Sequence, residues 1–461
     1  MSKTILAIDI GSTKVCAIIA KIGDNKDDID VIGTGISKAQ GLKRGSVTNI
    51  EQAAKSVKQA IEDANRIAGT NVKSAIVSIS GAYTKSLDSN GIVNVQTREI
   101  QFSDIDRVMQ TALYNANIPN DYAVLHALPY NFRVDDQDFI EDPFGMNASR
   151  LEVQTHIIIA QQSSLNNLKK AVEAAGIDVE TVVLTGYASS IAVLNDDEKE
   201  LGAAVIDIGG NTSNIIIHAG NAIRYNDFLG VGSNHITSDL SMAIHTPLNI
   251  ADQVKLNYGS LLTTSNDLIE LPTIGDEENT HEVSLEVVNN VIYARVEETL
   301  MILSQFIEQS GLKDQIGAGV IITGGFSKLE GMRELATAIF GAVPVRLARP
   351  KLLHGLIDNI KGPEYSSAIG LVMYMASHYT KYEIDVNKKI RHPNEIPYEA
   401  TKVDLGNTKT EEESSPLTPP IIEQSKPKMI SLDDENERTK PKKQKEPGTL
   451  NKFWNWASQL F

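Results

Sequence analysis

Apolar residues in this chain occur in short runs, and the same polar interruption appears in two of them. Asp9 ends one apolar run, and a second run begins at Val15. In the same way, Asp207 ends an apolar run, and the next begins at Ile215. Each gap holds glycine and small hydroxyl residues, which predicts two strands joined by a tight turn. Asp207 follows Asp9 by 198 residues (207 minus 9), far above the ~20 to 50 residues of repeat arrays. The pattern predicts a duplicated fold with one hairpin in each half.

The remainder of the first half alternates strand and helix patterns. A helical spacing of apolar residues predicts a helix over 50–68, which Gly69 ends. The other predicted elements are strands at 4–10, 14–22, 29–37 and 75–79, a helix at 165–175, a strand at 178–184 and a helix of small residues at 188–194. Three strands, a helix and a strand are typical of a ribonuclease-H-like α/β layer.

Residues 83–163 follow a different pattern, with strands expected near 92–96, 122–133 and 152–160. A helix is predicted at 103–115, with Ser103 as its N-cap and Asp106 three residues later. We interpret this stretch as a small inserted domain.

The second half contains a largely helical block after its hairpin. This block has a polar, acidic loop at 276–279 and one long helix at 285–310. A buried strand at 320–323 then ends in Gly324 and Gly325, which are expected to open a helix. Such a turn lets a flat ring or a ribose lie against the backbone, although glycines also serve simple packing.

Composition narrows the possible functions. The 461 residues, 41% of them hydrophobic, are enough for several cores. A net charge of -16 argues against non-specific nucleic-acid binding, which needs a basic surface. The single cysteine, Cys16, is expected to be a buried apolar residue that forms no intramolecular disulfide. We expect neither a signal peptide nor a spanning helix, because no apolar run approaches ~18 residues.

The paired hairpins are the strongest candidate site. Glycine accepts positive φ and close approach, so each turn can direct several backbone N–H groups at a phosphate while Asp9 or Asp207 faces its Mg²⁺. One such hairpin is more often only a tight turn. Two hairpins, with the turn at 324–325 as a third element, predict a nucleotide cleft.

These segments resemble the superfamily of actin, hexokinase and heat-shock-chaperone ATPases. Within it, Gly-Ser-Thr-Lys at 11–14, Thr-Gly-Tyr-Ala-Ser-Ser at 185–190, Thr-Ser-Asp-Leu at 237–240 and Tyr-Ser-Ser-Ala-Ile-Gly-Leu at 365–371 resemble the FtsA family of bacterial cell-division proteins. The resemblance implies an actin-like fold of two ribonuclease-H-like halves around a nucleotide cleft. The implied domains are 1–82 with 164–201 and about 365–385 (first half), 83–163 (inserted domain), 202–231 with 312–364 (second half) and 232–311 (helical subdomain).

The resemblance also implies roles for individual residues. Asp9 and Asp207 would hold Mg²⁺ through water, and Lys255 would lie beside the base of ATP. The phosphates would be cradled by Gly11, Ser12, Thr13, Gly209, Gly210, Asn211 and Thr212, and the adenosine bordered by Gly324, Gly325 and Phe326. Asn211 replaces a frequent third glycine, and Asn tolerates left-handed backbone. Gly186 stands where active ATPases carry a water-positioning Glu or Gln, so at most slow hydrolysis and no catalytic residue are expected.

The amino-acid composition changes twice near the end of the chain. Residues 386–448 are rich in Pro, Glu, Lys, Ser and Thr and are expected to be a disordered linker. Residues 449–461 predict an amphipathic helix with an apolar face, flanked by Trp456, that consists of Leu450, Phe453, Trp454, Ala457, Leu460 and Phe461. Aromatic residues with lysines nearby favour an anionic membrane surface, and the alternative is a helix that docks back on the core.

Three functions compete as interpretations of these features. Resemblance favours an actin-like protein that self-assembles and tethers filaments of the division protein FtsZ to the cytoplasmic face of the membrane at the septum, and that helps recruit later division proteins. FtsZ is expected to dock on 232–311, where Arg295 is a candidate for tuning assembly. The alternatives are an actin-like adaptor of pilus assembly and a small-molecule kinase, which would need an Asp base that we do not find in the sequence.

Overall fold

The structure is a computed structural model, and it describes residues 3–262, 265–356 and 358–392. The chain divides into two units, Met1–Pro393 and Asn394–Phe461, and every described residue belongs to the first. Most of the predicted linker and the whole predicted helix at 449–461 lie outside the described residues. Within the described ranges, no helix is both long and apolar enough to span a membrane.

The elements are numbered in chain order. The strands are β1 (Lys3–Ile10), β2 (Lys14–Ile22), β3 (Ile29–Lys38), β4 (Leu42–Lys43), β5 (Ser46–Val47), β6 (Ser74–Ile79), β7 (Thr84–Asn94), β8 (Tyr122–Val134), β9 (Gln137–Ile140), β10 (Arg150–Gln161), β11 (Asp178–Leu184), β12 (Ala203–Ile208), β13 (Ser213–Ala219), β14 (Ala222–Leu229), β15 (Leu268–Thr273), β16 (Asp276–Ser284), β17 (Gly319–Thr323), β18 (Val345–Leu347) and β19 (His354–Gly355). The α-helices are α1 (Ile50–Ala68), α2 (Phe102–Asn115), α3 (Gln162–Ala174), α4 (Thr185–Val193), α5 (Asp196–Leu201), α6 (Ser233–Ala243), α7 (Leu248–Tyr258), α8 (Leu285–Gln309), α9 (Met332–Phe340) and α10 (Ser366–Met375).

Two mixed sheets with the same strand order form the two halves. The first has the order β3-β2-β1-β6-β11, with β19 added beside β3, and the second has β14-β13-β12-β17-β18. In each sheet the first three strands of the half are antiparallel neighbours, and the last two join in parallel. Asp9 pairs with Cys16 in one hairpin and Asp207 with Asn214 in the other. The duplication predicted from the two hairpins is therefore present in the topology.

Helix α1 shows why its prediction was accurate at both ends. The Asn49 side chain accepts a hydrogen bond from the Gln52 N–H at its start, and Gly69 ends it in the left-handed region at φ 64°. Val57, Ala60, Ile61 and Ala64 are buried against the first sheet. Periodicity, cap and glycine stop all specify the same boundaries.

The inserted domain is a four-stranded sheet of order β7-β10-β8-β9 that packs on α2. Its first strand covers 84–94 rather than 92–96, because this edge strand is mostly exposed and its polar residues hide the strand pattern. Helix α2 begins at Phe102, and the Gln101 N–H donates to the Asp104 carboxylate at 3.0 Å. The predicted Ser103 cap is wrong, because Asp104 reaches back to the preceding turn.

Three predictions in the later part of the chain are also wrong. The acidic stretch at 276–279 is the beginning of β16, which pairs with β15 in an exposed hairpin, not a loop. The glycine turn at 324–325 opens a short 3₁₀ turn, Gly325–Lys328, and α9 begins only at Met332. Helix α4 begins at Thr185, directly after β11, and not at residue 188.

Helices α4 and α10 pack tightly within the first half. A Cβ added at Gly370 would lie 1.8 Å from the Ala188 carbonyl oxygen, so only glycine permits this contact. After α10, the chain crosses to the inserted domain, where Ile384 exchanges backbone hydrogen bonds with Ala127 at 2.9 and 3.0 Å. Residues 386–392, placed in the linker by sequence, belong to this crossing segment, in which Ile384 also forms a β-bridge with Ile390.

Candidate functional site

A cleft of about 140 Å³ lies between the two halves, and the turns of both hairpins line it. The predicted residues that line it are Asp9, Gly11, Ser12, Thr13, Asp207, Gly209, Gly210, Thr212, Gly324, Gly325 and Phe326. Residues that are 198 positions apart in sequence are thus brought to one place by the repeated strand order (207 minus 9).

The two turns have the same hydrogen bond. The Gly11 N–H donates to the Lys14 carbonyl oxygen at 3.0 Å, and the Gly209 N–H donates to that of Thr212 at 2.8 Å. Within the described part of the chain, the N–H groups of Ser12, Thr13 and Gly210 donate to no protein oxygen. Unpaired backbone donors that line a cleft can bind an anion.

Asp9 is buried at the end of β1. The residue is 7% exposed, and the Ser78 hydroxyl donates to Oδ1 at 2.8 Å. Burial raises the pKa of Asp9 to about 6, and the charge of Asp207 adds to the rise, while Ser78 and Lys14 oppose it. A buried carboxylate with few donors favours a cation beside it.

Asp207 is the equivalent residue at the end of β12 in the second half, but its carboxylate accepts hydrogen bonds from residues of the first half. Its Oδ2 accepts hydrogen bonds from the hydroxyls of Ser189 on α4, at 2.5 Å, and Ser367 on α10, at 3.1 Å. Burial raises the pKa of Asp207, and both hydroxyls oppose this. The carboxyl group of one half is therefore oriented by two helices of the other.

Close approach, rather than positive φ, explains the hairpin glycines. Neither Gly209 nor Gly210 lies in the left-handed region, and Asn211 does not either, so the tolerance of Asn for that conformation is not needed at this position. A Cβ on Gly210 would lie 2.3 Å from Thr13 Cγ2 of the first hairpin. Gly324 does have a φ of 87°, and a Cβ there would lie 2.4 Å from Asp207 Oδ1.

Two predicted residues do not line the cleft. Asn211 is absent from its wall. The ammonium group of Lys255 on α7 instead donates to Asp252 at 2.7 Å and to the Thr237 hydroxyl at 2.8 Å. Its link to the cleft is a long contact of 3.4 Å to the carbonyl oxygen of Ser233, which does line the wall.

Sequence reasoning missed a charged cluster on the wall. The Lys14 ammonium lies 3.6 Å from the centre of the Tyr365 ring, and burial lowers the pKa of Lys14, while Glu364 opposes this. Glu364 is paired with Lys328 in turn. Lys14 lies in one of the family phrases and Glu364 directly precedes another, but 350 positions separate them (364 minus 14), and no periodicity shows that they meet.

Gly186, which has no side chain to position water, lies at the start of α4 next to Thr185. Thr185 lines the cleft, and its hydroxyl donates to the Ile79 carbonyl oxygen at 3.0 Å. A Cβ on Gly186 would lie 3.1 Å from side-chain carbons of Asn214 and Ile216, so glycine fits a tight helix–strand contact.

The residues present fit a hydrated Mg²⁺. Asp9 and Asp207 supply hard oxygen atoms, which this cation prefers, and it commonly binds through one or two carboxylates, waters and phosphate oxygens. In the described ranges, no group of three or more His, Cys, Asp or Glu residues could hold a metal alone.

Sequence comparisons identify one family. The family model "Cell division protein FtsA" matches residues 204–370, and "SHS2 domain inserted in FTSA" matches residues 81–159. The chain is 36% identical over 462 residues to cell division protein FtsA of Helicobacter pylori, which covers 93% of this chain and 91% of the relative. It is 37% identical over 375 residues to that of Pseudomonas aeruginosa, with 81% and 89% covered. For Escherichia coli K12 the identity is 29%, with 84% and 94% covered.

Comparison with solved structures supports the fold. A PilM-PilN type IV pilus biogenesis complex matches with a TM-score of 0.58 at 16% identity, covering 81% of this chain and 98% of that one. MreB5 of Spiroplasma citri bound to ADP matches with a TM-score of 0.50 at 14% identity, covering 81% and 97%. The predicted fold class, two actin-like halves with a small inserted domain, is confirmed for the described residues.

Proposed function

Because the chain belongs to the FtsA family of cell-division proteins, we propose that it is an actin-like, ATP-binding adaptor. In this proposal it self-assembles, tethers FtsZ filaments to the cytoplasmic face of the membrane at the division site and helps recruit later division proteins. The observation that carries the nucleotide proposal is the pair of buried carboxyl groups, Asp9 and Asp207, at the ends of equivalent strands that face one cleft.

The cleft residues divide into three roles in this proposal. The N–H groups of Ser12, Thr13 and Gly210 donate to phosphate oxygens, and Asp9 and Asp207 hold the waters of Mg²⁺. The cation would neutralise the charge of the phosphates and of the two carboxylates. The turn formed by Gly324, Gly325 and Phe326 borders the adenosine.

Nucleotide entry requires the halves to separate. The cleft volume of about 140 Å³ is below the ~300 to 1,000 Å³ of typical small-molecule sites. Because Ser189 on α4 and Ser367 on α10 hold Asp207, opening alters these hydrogen bonds. Nucleotide binding would therefore set the angle between the halves, and this suits a protein whose nucleotide controls assembly.

Replacement of Asp207 tests the nucleotide proposal. We expect Asp207→Asn to weaken binding of ATP with Mg²⁺ at least tenfold, because it removes one of the two carboxylates that hold the cation's waters. Asp227→Asn is the matched control, because Asp227 is bound to Tyr225 and does not line the cleft. Calorimetric titration measures both affinities, and equal affinity of the two variants contradicts the proposal.

FtsZ is proposed to dock on the helical subdomain, residues 232–311. Two exposed apolar residues support this choice of surface: Met242 on α6 is 67% exposed, and Leu256 on α7 is 72% exposed. Met242→Lys and Leu256→Lys should each reduce FtsZ binding, while Tyr114→Lys, on the 86% exposed Tyr114 of the inserted domain, should not. Co-sedimentation with FtsZ polymers measures this, and full binding by both subdomain variants would place the docking surface elsewhere.

Sequence relatives favour division over the two alternatives. The relatives at 29% to 37% identity are division proteins, whereas the pilus complex resembles this chain in fold alone at 16%. Among the described residues of the cleft wall, the carboxylates are Asp9, Asp207 and Glu364, and Lys328 pairs with the last. We therefore propose no acceptor base and no catalytic residue, and at most slow ATP hydrolysis.

A further inference from the structure

A second cavity lies on the first half and shares no lining residue with the nucleotide cleft. It has a volume of about 500 Å³ and lies between the β2–β3 turn, the start of α5 and the end of α10. Its wall contains Lys26, Lys199, Lys351 and Lys381, together with His378. Several cations that converge on one cavity are the usual basis for binding a polyanion.

The carboxylates in the wall do not account for all of these cations. Asp196 pairs with Lys199 at 3.1 Å, and Asp27 faces His378 Nε2 at 3.4 Å. Asp24 also has a partner. Within the described part of the chain, neither Lys26 nor Lys351 has a carboxylate oxygen within ion-pair distance, so neither ammonium group in the cavity is directly paired.

Lys351 is a half-buried lysine in the wall of this cavity. Burial lowers the pKa of Lys351, and the neighbouring charge of Lys199 lowers it further, while Asp196 and Asp27 oppose the shift. Burial lowers the pKa of His378, and the charges of Lys26 and Lys351 lower it further, while a hydrogen bond to the Lys26 backbone and the charge of Asp27 oppose the shift. These groups are therefore close enough to repel one another, and an anion with several oxygens would relieve that repulsion.

We propose that Lys26, Lys199 and Lys351 form a binding site for a phosphate-bearing anion. Residues after α10 also contribute to the wall: Tyr379 lines the cavity, and its hydroxyl donates to the carbonyl oxygen of His392 at 3.0 Å. Two sources carry the same chemistry, a soluble phosphate and the headgroup of an anionic lipid. The proposal does not depend on ATP in the cleft.

Lysine labelling on the full-length protein tests the site directly. Acylation of each lysine is measured by mass spectrometry, first alone and then with pyrophosphate, with phosphatidylglycerol vesicles or with phosphatidylcholine vesicles. We expect pyrophosphate to slow labelling of Lys26 and Lys351 at least threefold, and not that of Lys169 and Lys170 on α3. The same protection by phosphatidylglycerol, and not by phosphatidylcholine, identifies a lipid source, and its absence identifies a soluble one. No selective protection by either anion overturns the proposal.

A charge-matched pair of variants gives an independent measurement. Lys26→Gln/Lys351→Gln removes the two lysines that form no ion pair, and Lys169→Gln/Lys170→Gln removes the same charge from α3. The first should weaken pyrophosphate binding about tenfold or more, since each lysine near an anionic surface contributes about fivefold, and the second should leave it unchanged. Thermal unfolding checks that both variants fold. Equal affinity of the two variants would also overturn the proposal.

Discussion

At the scale of single residues, the buried carboxyl group of Asp9 in the cleft wall reduces the stability of the fold. Its folded-state pKa of about 6 lies above the ordinary 3.8, with burial as the main cause. A carboxyl group whose pKa is raised by folding favours the protonated form, so stability is lost as the pH rises from about 4 to about 6. The charged form is therefore held in the fold at neutral pH at a cost.

Asp9→Asn should stabilise the nucleotide-free protein at neutral pH. Asn cannot ionise, and its Oδ1 can still accept the hydrogen bond of Ser78. We expect the free energy of unfolding to rise by roughly 3 kcal/mol at pH 7, and the gain to shrink as the pH falls toward 4. Urea unfolding at pH 7 and pH 5 measures this. The same gain at both pH values would show that the carboxyl group does not titrate as described.

Gly210 tests how closely the two hairpins approach. Gly210→Ala would place a Cβ 2.3 Å from Thr13 Cγ2, so the first turn has to shift, at a cost of about 1 to 3 kcal/mol for overpacking. We expect weaker nucleotide binding, and recovery in Gly210→Ala/Thr13→Ser, which removes that methyl group. Gly230→Ala is the control, because the nearest atom to its Cβ would be 3.9 Å away. Failure of Thr13→Ser to restore affinity would argue against this contact.

Site residues could be predicted from sequence where neighbouring residues mark them, but not where their partners come from a distant element. Asp9 and Asp207 were found because each ends an apolar run before glycine. The sequence did not show that Ser78, Ser189 and Ser367 hold these carboxylates, although the last two lie in family phrases, because each serine reaches its carboxylate from another element.

At the scale of elements, the segment after α10 joins the inserted domain to the first half. Glu383 is fully buried and accepts hydrogen bonds from the hydroxyls of Tyr187, at 2.7 Å, and Tyr374. Tyr382, next to it, packs in the core of the inserted domain. One short segment thus contacts α4, α10 and the inserted sheet.

Glu383→Ala should loosen this junction. The Tyr374 hydroxyl would lose its partner, and an unsatisfied buried hydroxyl costs about 1 to 3 kcal/mol in addition to the lost packing. Tyr374→Phe on the mutated background should then recover part of the loss, which a double-mutant cycle measures from urea unfolding. Strictly additive effects of the two substitutions would mean that the two side chains do not interact. Hydrogen exchange should increase at Ala127, whose backbone pairs with Ile384.

Elements were predicted well where burial imposed a period and poorly where side chains face water. Helix α1 has a buried stripe and both end signals. The β15–β16 hairpin has one buried residue in its first strand, Leu271, and the acidic start of its second strand has the composition of a loop. Pairing with a neighbouring strand, not the sequence of either strand, makes it a hairpin.

At the scale of the whole molecule, the two halves share their central carboxyl group. Asp207 belongs to the second half, and the hydroxyls that hold it belong to α4 and α10, which pack in the core of the first. A movement of the Asp207 side chain would therefore alter contacts in both halves. Segment 380–392 extends this connection to the inserted domain, because Tyr187 on α4 bonds to Glu383.

The last prediction concerns residues 449–461, which lie outside the described residues and are proposed as the membrane anchor. Leu450, Phe453, Trp454, Leu460 and Phe461 would each contribute roughly 1.5–3 kcal/mol if fully buried, and about half of that at an interface. Folding and confining the segment offset part of this gain, so one monomer is held weakly. A polymer that presents many such segments binds firmly, because each later segment meets the surface at a high effective concentration.

Trp454→Glu should release the protein from vesicles that contain phosphatidylglycerol, because it places a charge in the centre of the apolar face. Asn455→Glu adds the same charge on the opposite face and should release it much less. Sedimentation with vesicles compares the wild type and both variants, and nucleotide affinity should be the same in all three. If the Trp454→Glu variant sediments with the vesicles as the wild type does, the segment at 449–461 does not anchor the protein. Docking of this segment on the protein core then becomes the better interpretation.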